Sequence, residues 1–296
     1  MKTNPIRTLA LAATLPFIQT LSAQLPMLEQ PWVGYFAIAE EGKFRFQMNS
    51  GGESGILVLK KGGEEIDEYP IALKFLATET LPDGSVRDLP MKLDTVESTD
   101  PPSAELKKTV FRGKLTDQAT GQPTLEVTLE IASGTVLANA RITDKGAFDR
   151  NPLRPVIRAG FPFFYGAEKV ANENAQKEEL DKKQIRELEK QIKELEKRIG
   201  KDSVTLKHLD GKTVKLACVA KPELKPNEIN ATGSSLVEVD IAAYQERKFE
   251  FLAAPNSSLT LGYTAPLPLH NGFYLQWSAD PAKDPAGKAK LAIRIK

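Results

Sequence analysis

Apolar and polar residues alternate along most of this chain. Phe44, Phe46 and Met48 alternate with Lys43, Arg45 and Gln47, and Leu125, Val127, Leu129 and Ile131 alternate with Glu126, Thr128 and Glu130. The same period of two returns at Val237, Val239 and Ile241, at Phe249 and Phe251, at Leu259, Leu261 and Tyr263, and at Leu291, Ile293 and Ile295. Successive side chains of a strand point to opposite faces, so each run predicts a strand with one buried and one wet face. Such strands belong to antiparallel sheets, because parallel strands are covered on both faces. Turn signals punctuate the runs at Gly51-Gly52, Gly62-Gly63, Asp83-Gly84, Ser133-Gly134, Asp210-Gly211 and Asn271-Gly272. The expected fold class is all-β, an antiparallel β-sandwich or jelly-roll-like architecture, with one long charged α-helix inserted at about 173–199. An outer-membrane barrel fits less well. It needs strands of about 10 residues with lipid-facing apolar bands, and here the runs are shorter and the loops carry long charged stretches.

One hairpin can be placed by register. If Asp210-Gly211 alone formed the loop, Leu206 would oppose Lys215 and both faces would mix apolar with charged residues. A three-residue loop, Leu209-Asp210-Gly211 with Gly211 left-handed, pairs His208 with Lys212 instead. Val204, Leu206, Val214, Leu216 and Cys218 then share one buried face. This register leaves His208 and Lys212 at the wet end. Two polar, proline-containing stretches, residues 94–105 and 221–235, read as surface loops.

The helical stretch breaks the β pattern. Ile185, Leu188, Ile192, Leu195 and Ile199 recur at gaps of three and four, a seam with Ile at a and Leu at d that favours parallel two-stranded pairing. Glu189/Lys193 and Glu194/Arg198 stand four apart, acid first, which supports a helix. Asn172 or Asn174 caps its start and Gly200 ends it. The segment holds eight acidic and eight basic residues between Glu173 and Arg198, so it is no basic nucleic-acid or membrane-surface helix. Two readings stay open: the stripe packs on the protein's own sheet, or it forms a short coiled coil with a second copy or a protein partner. The seam covers little over two heptads.

The first 23 residues carry Lys2 and Arg7, an apolar run from Leu9 to Leu21, and small residues at Ser22-Ala23, which is the layout of a secretory signal. The protein is therefore expected to be exported, to the periplasm or beyond the cell, with no membrane span after signal removal. The remaining organisation reads as a β-sandwich part at 24–168, the helix at 169–200, and strands at 201–296 that complete the sandwich or form a second small β domain. Loss of the signal would leave 38 basic and 39 acidic residues, a near-neutral balance with no footprint for nucleic acid. Cys218 is the single cysteine, so the chain can form no internal disulfide and has to be held by its core.

Candidate chemistry is sparse. There are two histidines, His208 and His270, and both lie beside turns. One cysteine and two distant histidines offer no metal-ligand spacing, and no nucleophile elbow, phosphate loop or HExxH motif occurs. No cofactor or catalytic residue is assigned. Phe273, Leu275 and Trp277 share a face expected to be core, leaving Tyr274 and Gln276 on the other. Tyr274 and Gln276, or Tyr165 near Arg154 and Arg158, are the candidate ligand face for a glycan or anion. The expected function is a structural or binding role at the cell envelope without catalysis. The alternative is a carbohydrate-active enzyme, a glycoside hydrolase or lyase with two close carboxylates, or a carbohydrate-binding module.

Overall fold

A computed structural model describes residues 35–49, 54–60, 62–92, 95–98, 107–116, 122–146, 151–162, 182–244, 247–264 and 267–296. Among the described residues, seventeen strands, all antiparallel where they pair, form one hydrogen-bonded sheet. The alternating runs become strands where the pattern predicts them: β2 (Phe44–Asn49), β8 (Thr124–Ala132), β13 (Ser234–Asp240), β14 (Lys248–Ala253), β15 (Ser257–Tyr263) and β17 (Leu291–Ile295).

The sheet has two limbs. In the first, β1 (Tyr35–Glu41), β2, β3 (Ser54–Leu59) and β4 (Glu65–Thr80) run as a meander, and β10 (Leu153–Phe161), β16 (Phe273–Ala279) and β15 follow outward from β4. β5 (Val86–Pro90) takes over from β3 along the later part of β4. The second limb runs β12 (Thr213–Ala217), β11 (Ser203–His208), β13, β14, β17, β9 (Thr135–Asp144), β8, β7 (Lys108–Lys114) and β6 (Glu97–Ser98). Ser234 paired with Leu259 joins the limbs at one place, and the Met91–Leu115 bridge joins them at another.

The limbs curl over a shared apolar interior. Phe161 of β10 stacks on Phe273 of β16 at 4.7 Å and meets Phe249 and Phe251 of β14 edge-on, each at 5.8 Å. Phe75 of β4 meets Phe111 of β7 at 5.2 Å. These rings cross from one limb to the other, so the core lies between them.

Two expectations need correction. The antiparallel architecture is a single curled sheet and not a sandwich of separate sheets or a jelly roll, because the paired strands run without a break through Ser234–Leu259. The long helix inserted at about 173–199 is contradicted as well. Two α-helices occur among the described residues: α1 (Lys182–Ile199), 18 residues or about 27 Å, and α2 (Pro226–Asn230), five residues. The coiled-coil reading falls with it. Of the seam side chains the structure describes Ile199, which is buried in the β core cluster, so that end of the stripe is covered by the protein's own sheet. Residues 169–181 and the side chains of Ile185, Leu188, Ile192 and Leu195 lie outside the description. So do the signal-like residues 1–23. No described helix is long and apolar enough to cross a membrane.

The β11–β12 hairpin adopts the three-residue-loop register. Leu206 opposes Val214, Val204 opposes Leu216, and the His208 N–H donates to the Lys212 carbonyl at 2.8 Å. Gly211 is left-handed at φ 88°, and Cys218 is fully buried. His208, however, is not at a wet end. It shares parity with Val204 and Leu206, so it turns inward, and its Nδ1 lies 3.0 Å from the Gly233 carbonyl and 3.3 Å from Ser234 Oγ. The expected loop at 221–235 contains α2, which starts at Pro226, a residue suited to a first helical turn.

Candidate functional site

Three of the residues expected to form a ligand face come together on the outer surface of the first limb. Arg158 opposes Gln276 across β10 and β16, and its Nε donates to Gln276 Oε1 at 2.8 Å. Both terminal nitrogens donate to Asp88 of β5, at 2.6 and 2.9 Å. The guanidinium sits 4.7 Å from the centre of the Tyr274 ring, a cation–π contact. Tyr274 lies between two glycines, Gly160 and Gly262, in the adjacent strands. A Cβ at Gly262 would fall 2.1 Å from Tyr274 Cζ, so the ring rests directly on that backbone. The donors of Arg158 are thus directed at protein partners. Arg154 shares the Arg158 face but stands four residues along β10, about 13 Å away, opposite Thr78. Tyr165 lies outside the described residues.

A second location, absent from the sequence reading, has more open chemistry. β10 continues to Leu153 while its pairing with β16 stops at Val156–Ser278. Pro155 occupies this stretch, where its missing N–H leaves no gap in the β16 ladder. The notch so formed opens into a cleft of about 710 Å³, within the range of small-ligand pockets. Leu153 and Pro155 form one wall and the loop carrying Pro281, Asp284, Pro285 and Gly287 another; Arg112, Arg141, Thr143 and Lys145 of the second limb also line it.

The two arginines are fixed from below by Glu126. This carboxylate lies on β8 between Arg112 of β7 and Arg141 of β9 in register. Arg112 Nε donates to Oε2 at 2.6 Å and Arg141 Nε to Oε1 at 2.5 Å, and the Nη2 of each adds a second contact at 2.5 Å. Glu126 is buried beneath guanidinium groups that are about half exposed. Burial alone would raise its pKa. The hydrogen bonds and positive charges of both arginines outweigh that and hold the carboxyl below the usual carboxylate range.

The loop wall is equally well held. Asp284 accepts the Lys288 N–H at 2.9 Å and the Ala289 N–H at 2.6 Å, and Asn139 of β9 donates to the Gly287 and Ala289 carbonyls. Gly287 is left-handed at φ 59°, and a Cβ there would lie 2.9 Å from the Cβ of Arg141. The loop backbone therefore lies directly on the arginine stem.

Catalytic carboxylates would need freedom to gain or lose a proton. The three buried acids among the described residues are otherwise engaged. Glu126 holds two arginines; Glu79 is bound by Arg87, at 2.8 Å from Nε, and by Asn151. Asp202 accepts the Ala242 N–H at 2.8 Å. No described group of three or more His, Cys, Asp or Glu side chains could hold a metal ion.

The Glu126–Arg141 half of the site carried a readable signal. A two-residue turn at Ser133-Gly134 places Ala132 opposite Thr135, and counting back along both strands sets Glu126 opposite Arg141. Arg112 has no comparable turn to fix it, and the loop at 280–290 returns from a strand far along the chain.

No family model matches this chain, and no curated protein matches it. Solved structures with a similar fold do exist. The α-N-acetylgalactosaminidase NagBb from Bifidobacterium bifidum, in its GalNAc complex, aligns over 88% of this chain with a TM-score of 0.55 and 10% identity. The chain spans 35% of that enzyme's length. The Slr1438 protein from Synechocystis sp. PCC 6803 aligns over 92% of this chain and 99% of its own, with a TM-score of 0.50 and 12% identity. At these identities the likeness is one of fold.

Proposed function

We propose that the protein is a carbohydrate-directed binding module whose saccharide site is the cleft between Arg112, Arg141 and the loop at 281–287. The observation that carries this reading is the cleft itself: a rigid, polar concavity with apolar walls, on a fold similar to part of a galactosaminidase. Sugars present hydroxyls and apolar C–H faces together. Guanidinium groups, Thr143 and loop carbonyls suit the former, and Leu153, Pro155, Pro281 and Pro285 suit the latter. Binding is favoured over hydrolysis because the buried acids are each committed to protein partners.

An array of neutral, amino and acidic saccharides, including N-acetylgalactosamine, tests the proposal. The wild-type protein is compared with Gly287→Ala, which strains a left-handed position by about 1–2 kcal/mol and pushes the loop off Arg141. The expected result is wild-type binding that falls at least severalfold in the variant while the fold remains intact by circular dichroism. Binding abolished by Arg158→Ala but untouched by Gly287→Ala would move the site to the Tyr274 face. A blank array would reject the proposal.

A further inference from the structure

We infer that the cleft selects saccharides bearing an anionic group, a carboxylate or a sulfate, which docks between Arg112, Arg141 and Lys145. This inference rests on the carbohydrate reading and specifies its ligand.

The charge arrangement carries it. Three cationic side chains line the cleft, against one acid, Asp284. Asp284 keeps its charge but turns both oxygens to backbone N–H groups of its own loop, so with Glu126 counted the three cations still outnumber the two carboxylates and leave the cleft net positive. Glu126 lies beneath the arginines and engages Nε and Nη2 of each. Those contacts leave Nη1 of both guanidinium groups uncommitted to Glu126. Two planar forks whose orientation is already fixed lose little freedom when they receive an anion, and charge-assisted bonds of this type are about twice as strong as neutral ones. Lys145, at the end of β9, adds a mobile point charge beside them.

What the cleft lacks points the same way. None of its lining residues is aromatic. A neutral pyranose is commonly gripped by an aromatic ring under its apolar face; here only proline and leucine supply apolar contact. A neutral sugar would therefore leave the net positive charge of the cleft, and the Nη1 donors that Glu126 does not engage, without an anion to meet them.

The test is calorimetric titration of the full chain with three probes: trigalacturonate for the carboxylate, N-acetylgalactosamine 4-sulfate for the sulfate, and N-acetylgalactosamine as the neutral reference. Lys145→Gln is the variant of choice, since Lys145 makes no contact with Glu126 and its removal leaves the supporting triad in place. At least one acidic probe is expected to bind about tenfold or more tightly than the neutral sugar, with affinity falling as salt is raised. Lys145→Gln is expected to weaken that probe about three- to tenfold and the neutral sugar by less, so that the preference for the acidic probe narrows. Whichever acidic probe binds identifies the anionic group. Equal or tighter binding of the neutral sugar, with no effect of Lys145→Gln, overturns the anion inference and leaves the carbohydrate reading standing. Absence of binding to all three probes, together with a blank array, overturns both.

Discussion

Glu126 shows how one residue can organise a site without facing a ligand. Its carboxylate is buried between two guanidinium groups, and each of its oxygens accepts from a different strand. Replacing it with Gln removes the charge and leaves two arginines repelling each other. The expected cost is about 2 kcal/mol at pH 7. Because the folded-state pKa of Glu126 is lowered, its stabilising contribution is present above the unfolded value, near 4.5, and is lost as pH falls through the folded value. Denaturation of wild type and Glu126→Gln across pH 3 to 8 should therefore show a gap that is constant at neutral pH and closes below about pH 4.5. A gap that persisted unchanged at the acid end would mean the ion pairs contribute nothing. Glu126 was visible in the sequence as a wet-face residue of an alternating strand. Its burial was not, since that comes from the two arginine side chains that cover it.

At the scale of elements, local rules worked where a turn fixed the register. The β11–β12 hairpin follows from Asp210-Gly211 and the demand that Val204, Leu206, Leu216 and Cys218 share a face. The same parity turns His208 inward, where Gly233 and Ser234 satisfy its ring nitrogen, against the wet-end position expected from its place beside the turn. Cys218 tests the hairpin's burial. Desolvation pushes its thiol well above the ordinary range, and the nearby charges of Asp202 and Asp240 add to the effect. The native protein is expected to be inert to a thiol-specific reagent at pH 8 and to release one equivalent on denaturation. Rapid labelling of the native state would place Cys218 outside the core. The helix was harder to read. A five-residue seam looks the same whether it meets another helix or a sheet, and α1 ends with Ile199 in the β core.

Across the whole molecule, long-range pairing decides the architecture, and a single sequence carries little of it. β10 meets β4 on one edge and β16 on the other, although β16 begins more than 100 residues later. Nothing local in LRPVIRAGF, with its internal proline, announces a central strand. Yet Phe161 at its end stacks on Phe273 and touches two rings of the opposite limb. Phe161→Ala should leave a cavity between the limbs and cost roughly 4 kcal/mol in chemical denaturation. A loss below about 1 kcal/mol would show that the limbs do not depend on this cluster. The cleft arises from the same pairing. It exists because β16 stops where β10 continues and because the loop at 280–290 then crosses to β9. A reading confined to adjacent strands could find the Arg158, Tyr274 and Gln276 face but not this notch.

The most direct test of a saccharide site in that notch is chemical-shift mapping by NMR. The protein is titrated with the oligosaccharide it binds best on the array, and backbone and arginine side-chain signals are followed. The account predicts that the largest shifts cluster at Arg112, Arg141, Thr143, Lys145 and residues 281–287. Shifts confined to Arg158, Tyr274 and Gln276, or spread without a centre, would contradict it.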